Sequence, residues 1–274
     1  MKPPPTWRGL HISCMHIALT IAGSDSGGGA GIQADLKTFS RFQVFGTSVI
    51  TAVTAQNTHG VMAWEAMSPH MIRAQLDAVT EDLPPEGVKT GMLGDAAAVN
   101  AVVDGLIARR LTARLVVDPV MVATSGDPLL TESAVVTVRD RLVPIARLVT
   151  PNLPEAEVLV GWPIRTHDDM MRAAETLVHT LGASAALVKG GHLDGPVVTD
   201  ILYDGREAVT FDRPRVPSVH THGTGCTLSA AIAAQLAHGE TLTAAVKTAI
   251  EYVHRAIETA PQLGGGHGPL NHFA

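Results

Sequence analysis

The sequence predicts an α/β fold: a mostly parallel sheet with helices on both faces. Three observations lead there. Short apolar runs alternate with helix-period segments along most of the chain, as in successive βα units. The runs are apolar throughout rather than alternating, as strands covered on both faces should be. Polar residues follow directly on the runs, at Ser24-Asp25, Asp118, Asn152 and Lys189. In an open parallel sheet these positions are the carboxyl ends of strands, where ligand crevices form.

His16–Ala22 reads as the first strand. A glycine loop, Gly23 to Gly31, follows, then a helix from about Ile32 to Phe42. Ser48–Ala55 is the second strand. Ser68-Pro69 opens a helix to about Leu83, with Ser as N-cap and Pro at the first helical position. Val88–Leu93 is a strand, and Asp95 caps a helix to about Arg110. Arg114–Val117 is a strand and Thr131–Leu142 a helix. Arg147–Thr150 is a strand that runs into Pro151-Asn152, and Pro154-Glu155 opens a short helix. Asp168–Leu181 is helical and Ala185–Val188 extended. Val198–Tyr203 and Glu207–Phe211 pair as a hairpin about Asp204-Gly205. Helices over 224–238 and about 243–259 complete the pattern. No repeat or boundary interrupts it, so residues 15–274 are expected to form one domain. Residues 1–14, with Pro3-Pro4-Pro5, are expected to be a flexible extension, and Met15 reads as an alternative start.

Composition excludes several classes. The net charge is −6 and no Lys/Arg run occurs, which argues against nucleic acid as a partner. No apolar run is long enough to span a membrane, and no signal-peptide core is present. The two cysteines, Cys14 and Cys226, are far apart and fit a reducing, cytoplasmic setting. The 13 histidines form no HExxH, and there is no CxxC, so zinc is not expected. Gly29-x-Gly31-x-x-Ala34 matches a loose dinucleotide fingerprint. The acid it requires is missing, because the second strand ends in Gln56-Asn57. No GxxxxGK[ST] occurs, so a P-loop is absent.

The chemistry concentrates in His220-Thr221-His222-Gly223-Thr224-Gly225-Cys226, a loop leading into the 224–238 helix. Helix-start amides without intrahelical partners, two glycines and the helix dipole make an anion hole for a transferring phosphate. Asp118, Asn152 and Glu155 are hard oxygen donors suited to Mg²⁺. Lys189 is a point charge for phosphate. Each also has a plain structural reading: Asp118 as a turn residue before Pro119, Glu155 as a first-turn acid, Lys189 as a solvated loop charge. Cys226 is either a general base with a pKa lowered by the helix N-terminus, or an inert buried thiol. The glycine-rich tail with His267, Asn271 and His272 is either disordered or folded back near the nucleotide.

The segments AGSDSGGGAGIQADLKTF (22–39), KTGML (89–93), DPVM (118–121), TPNLPEAEVL (150–159), VKGGH (188–192) and THGTGCTLSAA (221–231) resemble hydroxymethylpyrimidine and phosphomethylpyrimidine kinases of the ribokinase-like superfamily. The resemblance runs from about 16 to 273. It implies a three-layer αβα fold, Mg-ATP and a homodimer. It implies ATP-dependent phosphorylation of 4-amino-5-hydroxymethyl-2-methylpyrimidine, then of the resulting monophosphate, in thiamine biosynthesis. By motif, Gly23, Asp35, Gln56, Met92 and Val120 would line the pyrimidine pocket. Lys189, Thr221, His222, Gly223 and Gly225 would serve ATP; Asp118, Asn152 and Glu155 would organise magnesium; Cys226 would be the base. Gln56 also suits a pyridoxine ring, so a pyridoxine/pyridoxal kinase is the nearest rival. A non-catalytic sensor is the rival of another class, and it would need no base at Cys226. A fused thiamine-phosphate synthase domain, seen in some relatives, is expected to be absent.

Overall fold

The computed structural model describes residues 15–121 and 130–274; the extension expected at 1–14 lies outside them. The strands are β1 Ile17–Asp25, β2 Phe45–Asn57, β3 Gly60–Ala66, β4 Gly87–Thr90, β5 Leu115–Val117, β6 Leu148–Val149, β7 Ala186–Val188, β8 Val197–Tyr203 and β9 Ala208–Pro214. The helices are α1 Gly31–Arg41, α2 Pro69–Asp82, α3 Ala96–Ala108, α4 Glu132–Thr137, α5 Leu153–Val160, α6 His167–His179, α7 Thr224–Ala237 and α8 Leu242–Glu258. The strands form a 9-stranded sheet in the order β3-β2-β1-β4-β5-β6-β7-β8-β9. The run from β2 to β7 is parallel. Antiparallel β3 closes one edge, and the β8–β9 hairpin closes the other.

Apolar strands have two covered faces, and the side chains divide between them. Leu19, Ile21, Val117, Val149 and Val188 pack against residues of α2 to α6, among them Leu76, Val102, Ala156 and Leu177. Ala18, Val116, Leu148 and Leu187 point the other way, toward Phe39 of α1, Ile232 of α7 and Val246 of α8. This alternation is the period-two signature of a strand, hidden in the sequence because both faces are apolar. The parallel run carries every central strand tip to the same edge of the sheet.

Several boundaries differ from expectation for identifiable reasons. β3 was not foreseen: Val61-Met62-Ala63-Trp64 is a short apolar run, but no residue of Gly60–Ala66 is buried. β4 ends at Thr90 rather than Leu93. Beyond it the Gly91 amide donates to Ile21 O at 3.0 Å, and the Gly23 amide donates to Met92 O at 3.0 Å. The chain thus leans over the end of β1 instead of extending its own strand. The helix expected over 131–142 is regular only to Thr137. It then widens into a π-turn over Val138–Leu142 and tightens to a 3₁₀ turn over Val143–Ile145, where Pro144 lacks a donor.

Candidate active site

The N-terminus of α7 supplies the first part of the site. Gly223 is its N-cap with φ of 82°. A side chain at Gly223 would collide with the Gly29 carbonyl, so glycine lets two loops touch. The Thr224 amide donates to Thr221 O at 3.2 Å, which removes one of the open amides expected there. The amides of Gly225 and Cys226 belong to a first turn with no intrahelical acceptor.

Two strand tips supply the second part. Asp118 follows β5, is buried, and its Oδ1 accepts from Lys189 Nζ at 3.2 Å. Lys189 follows β7, and its amide donates to Pro151 O at 2.9 Å, locking that tip beside the tip of β6. A Cβ placed on Gly225 would lie 3.3 Å from Lys189 Nζ and 3.4 Å from Asp118 Oδ2. The helix start, the acid and the ammonium therefore converge on one small volume.

Asn152 and Glu155 form a reciprocal capping box at the start of α5. Glu155 N donates to Asn152 Oδ1 and Asn152 N donates to Glu155 Oε2, both at 2.9 Å. Asn152 thereby orients Glu155, and its own oxygen keeps a second lone pair. Burial raises the Glu155 pKa; the Lys189 charge opposes this and the Asp118 charge adds to it. Burial depresses Lys189, but Asp118 and Glu155 outweigh it and hold the ammonium protonated. The first-turn reading of Glu155 is true locally, yet its charge and that of Asp118 both act on the Lys189 ammonium.

The Cys226 expectation reverses in one respect. Its pKa is raised from 9.0 to about 11. Burial is the largest cause; the Lys89 charge pulls it down, and Asp35 and Asp118 push it up. Desolvation outweighs the helix terminus here. At neutral pH the group is a thiol. Alkylation of Cys226 by iodoacetamide, in a Cys14→Ser background, should therefore keep accelerating about tenfold per pH unit beyond pH 9. A plateau below pH 9 would mean a lowered pKa after all.

The expected pyrimidine pocket is only partly assembled from the residues foreseen. Met92 and Ala52 form a small apolar cluster to which Val120 and Val61 add. A Cβ on Gly23 would lie 3.1 Å from Met92 Sδ, so Gly23 leaves this cluster open. Val61 was missed because β3 was missed. The Asp35 carboxylate is fully buried, taking Lys89 Nζ at 2.8 and 3.0 Å and the Thr20 hydroxyl at 2.6 Å, and its charge acts on Cys226. Gln56, one residue before the end of β2, has its amide beside Thr54 and His222.

Thr221 turns its carbonyl into α7, where the Thr224 hydroxyl also donates to it at 2.6 Å. The His222 ring lies against the glycine loop, its Nε2 3.0 Å from Asp25 Oδ2. The tail question is settled in favour of folding back. The His267 amide donates to Thr58 O at 2.8 Å, the His222 amide donates to Gly268 O at 3.2 Å, and His272 is buried beside Thr227. Burial lowers the His272 pKa to about 4, with Lys37 adding to the effect. Among the described residues no three His, Cys, Asp or Glu side chains cage a cation by themselves, and no helix is long and apolar enough to cross a membrane.

The sequence profile of the phosphomethylpyrimidine kinase family matches residues 25–271. A hydroxymethylpyrimidine/phosphomethylpyrimidine kinase of Rhizobium meliloti is 54% identical over 260 residues, covering 94% of this chain and 97% of that protein. The crystal structure of a phosphomethylpyrimidine kinase from Clostridium difficile is 45% identical, with a TM-score of 0.79, over 88% of this chain and 99% of that one. An ADP complex of Bacillus subtilis pyridoxal kinase is 37% identical, with a TM-score of 0.86, over 94% of this chain and 97% of that one.

Proposed function

The chain belongs to the phosphomethylpyrimidine kinase family, and from that premise we propose how its residues divide the work. The activity is phosphoryl transfer from ATP to the hydroxymethyl group of 4-amino-5-hydroxymethyl-2-methylpyrimidine, then to the monophosphate, in thiamine biosynthesis. Such transfer needs positioning and charge neutralisation more than covalent chemistry from the protein. The observation that carries the assignment of roles is at Gly225, where an added Cβ would lie 3.3 Å from Lys189 Nζ and 3.4 Å from Asp118 Oδ2.

The amides of Gly225 and Cys226 receive the moving phosphoryl oxygens, with Gly223 shaping the turn. Lys189 neutralises charge on the same group, and the Thr221 loop borders the nucleotide. Asp118 and Glu155 are buried hard-oxygen carboxylates beside that point, a donor set that fits magnesium sharing its shell with phosphate and water. When bound, magnesium supplies charge neutralisation between phosphate oxygens. Gly23, Met92 and Val120 take the ring's apolar surface, and Gln56 takes its polar edge.

In the first step the acceptor oxygen bonds to the γ-phosphorus, the bond to the ADP oxygen breaks, and the hydroxyl proton passes to the small thiolate fraction of Cys226, so this step should quicken as pH rises through the neutral range. In the second step the acceptor is a phosphate oxygen that is already ionised, so a base matters less. Cys226→Ala should therefore slow the first phosphorylation about 10²–10⁴-fold, the range of general-base contributions, and the second far less. Equal losses in the two steps would remove the base role.

The pyridoxine reading keeps some support from the pyridoxal kinase likeness. Comparing ATP consumption with the aminopyrimidine and with pyridoxine decides it, and a wide preference for pyridoxine would overturn the pyrimidine assignment. We also place the chain in the cytoplasm, where ATP is supplied, as a homodimer. Exposed Val53, Met62 and Trp64 at the β2–β3 edge of the sheet support a second copy covering that edge. A monomeric mass by light scattering would remove the dimer.

A further inference from the structure

The His222 ring joins four segments that are remote in sequence. Its Nε2 lies 3.0 Å from Asp25 Oδ2 and 3.5 Å from Gln56 Nε2. A Cβ on Gly29 would lie 2.5 Å from His222 Cδ2, so the ring fills the hollow above the glycine loop. Behind it the tail runs alongside, with a parallel bridge between His222 and Pro269. Asp25 holds the glycine loop, accepting from the amides of Gly27 at 2.8 Å, Gly29 at 3.0 Å and Ala30 at 2.8 Å.

Hydrogen-bond bookkeeping fixes what the ring can do. Burial presses the Asp25 pKa up, but the His222 bond and the Ala30 and Gly27 amides outweigh it, so Asp25 is a carboxylate and only accepts. His222 Nε2 must then carry a hydrogen and cannot accept one from Gln56. An amide NH₂ facing that nitrogen would set donor against donor. The Thr54 hydroxyl meets a matching limit. It has one hydrogen, and lies 3.0 Å from Ser24 O and 3.1 Å from Gln56 Oε1. Turning the Gln56 amide by half a revolution resolves both conflicts. Its oxygen then faces the His222 N–H, its nitrogen donates to Thr54 Oγ1, and Thr54 donates to Ser24 O.

We propose that His222, held by Asp25, is a specificity-determining positioning residue that fixes which way round the Gln56 amide presents its donor and acceptor. This rests on the reading that Gln56 takes the substrate's polar edge. A fixed amide accepts only a ring edge that offers an amine donor and a ring-nitrogen acceptor in one order. A hydroxypyridine lacks such an edge and gains nothing from the fixed order. The Asp25 carboxylate thus acts on selectivity through two intervening side chains without touching substrate.

The test compares kcat/KM for the aminopyrimidine and for pyridoxine in wild type, His222→Phe and His222→Gln. Phenylalanine keeps the packing on Gly29 and Pro269 but loses the N–H. It should lower the aminopyrimidine-to-pyridoxine ratio about fivefold to tenfold, the scale of one lost hydrogen bond. Glutamine, which returns an N–H to Asp25, should restore the ratio. The ratio is taken within each variant and does not depend on the fraction folded. An unchanged ratio overturns the proposal, and an unchanged ratio with a raised KM for ATP makes His222 a nucleotide contact instead. A wild-type chain that ignores the aminopyrimidine would defeat the substrate assignment, a separate failure read before any variant is made.

Discussion

Gly225→Val should lower kcat for phosphoryl transfer by about 10²–10³, the loss expected when one preorganised donor of an anion hole is displaced. The reason is spatial. The first added carbon already meets Lys189 Nζ at 3.3 Å and Asp118 Oδ2 at 3.4 Å, and valine's two methyl groups extend further. They would fill the space where the transferring group must sit and push the ammonium away from it. Gly225 has no left-handed φ to lose, so α7 should start normally and the melting temperature should hold. Steady-state kinetics beside a thermal melt separates the two effects. A variant that melts like wild type and keeps its kcat would mean that phosphate passes elsewhere.

Lys89→Met should be the most damaging change to stability. Lys89 and Asp35 are each fully buried, paired at 2.8 Å, with the Thr20 hydroxyl closing the carboxylate at 2.6 Å. Burial works against the Lys89 charge, but Asp35 first, then Cys226 and Asp118, raise its pKa, so the ammonium is present at every working pH. Methionine keeps the length and removes the charge, leaving the Asp35 carboxylate uncompensated. Breaking a buried pair from one side costs about 3–5 kcal/mol. For a chain of this size that is roughly 6–20 °C in melting temperature. Lys89→Met combined with Asp35→Leu should lose much less, because no lone charge remains. If the single variant melts like wild type, the pair contributes nothing to stability and its place is electrostatic only.

The sequence located the meeting of strand tips and helix start better than it located the groups around it. Asp118, Lys189 and Gly225 could be read because strand tips and helix starts are marked by local signals: an apolar run that stops, or a glycine before a helical period. What could not be read depends on long-range contact. The partner of His222 is Asp25, at a sequence separation of 197. Nothing near Asp35 announced that Lys89, at a separation of 54, would enclose it. Cys226 was given the pKa of a helix terminus because burial has no local marker. β3 escaped because its apolar run is short and none of its residues is buried, so nothing set it apart from the connection between β2 and α2. The tail could not be placed because its glycines signal close approach without saying to what.

The contact between Asp118 and Lys189 spans 71 residues and is brought about only when β5, β6 and β7 lie side by side. Gly225 joins them from a helix that starts after the β8–β9 hairpin has been laid down. Partly organised forms of the chain, however rich in helix, therefore lack the means to turn over ATP. In a refolding experiment, recovered turnover should be the slowest signal to return, and it dates the closing of the whole sheet rather than of any one segment.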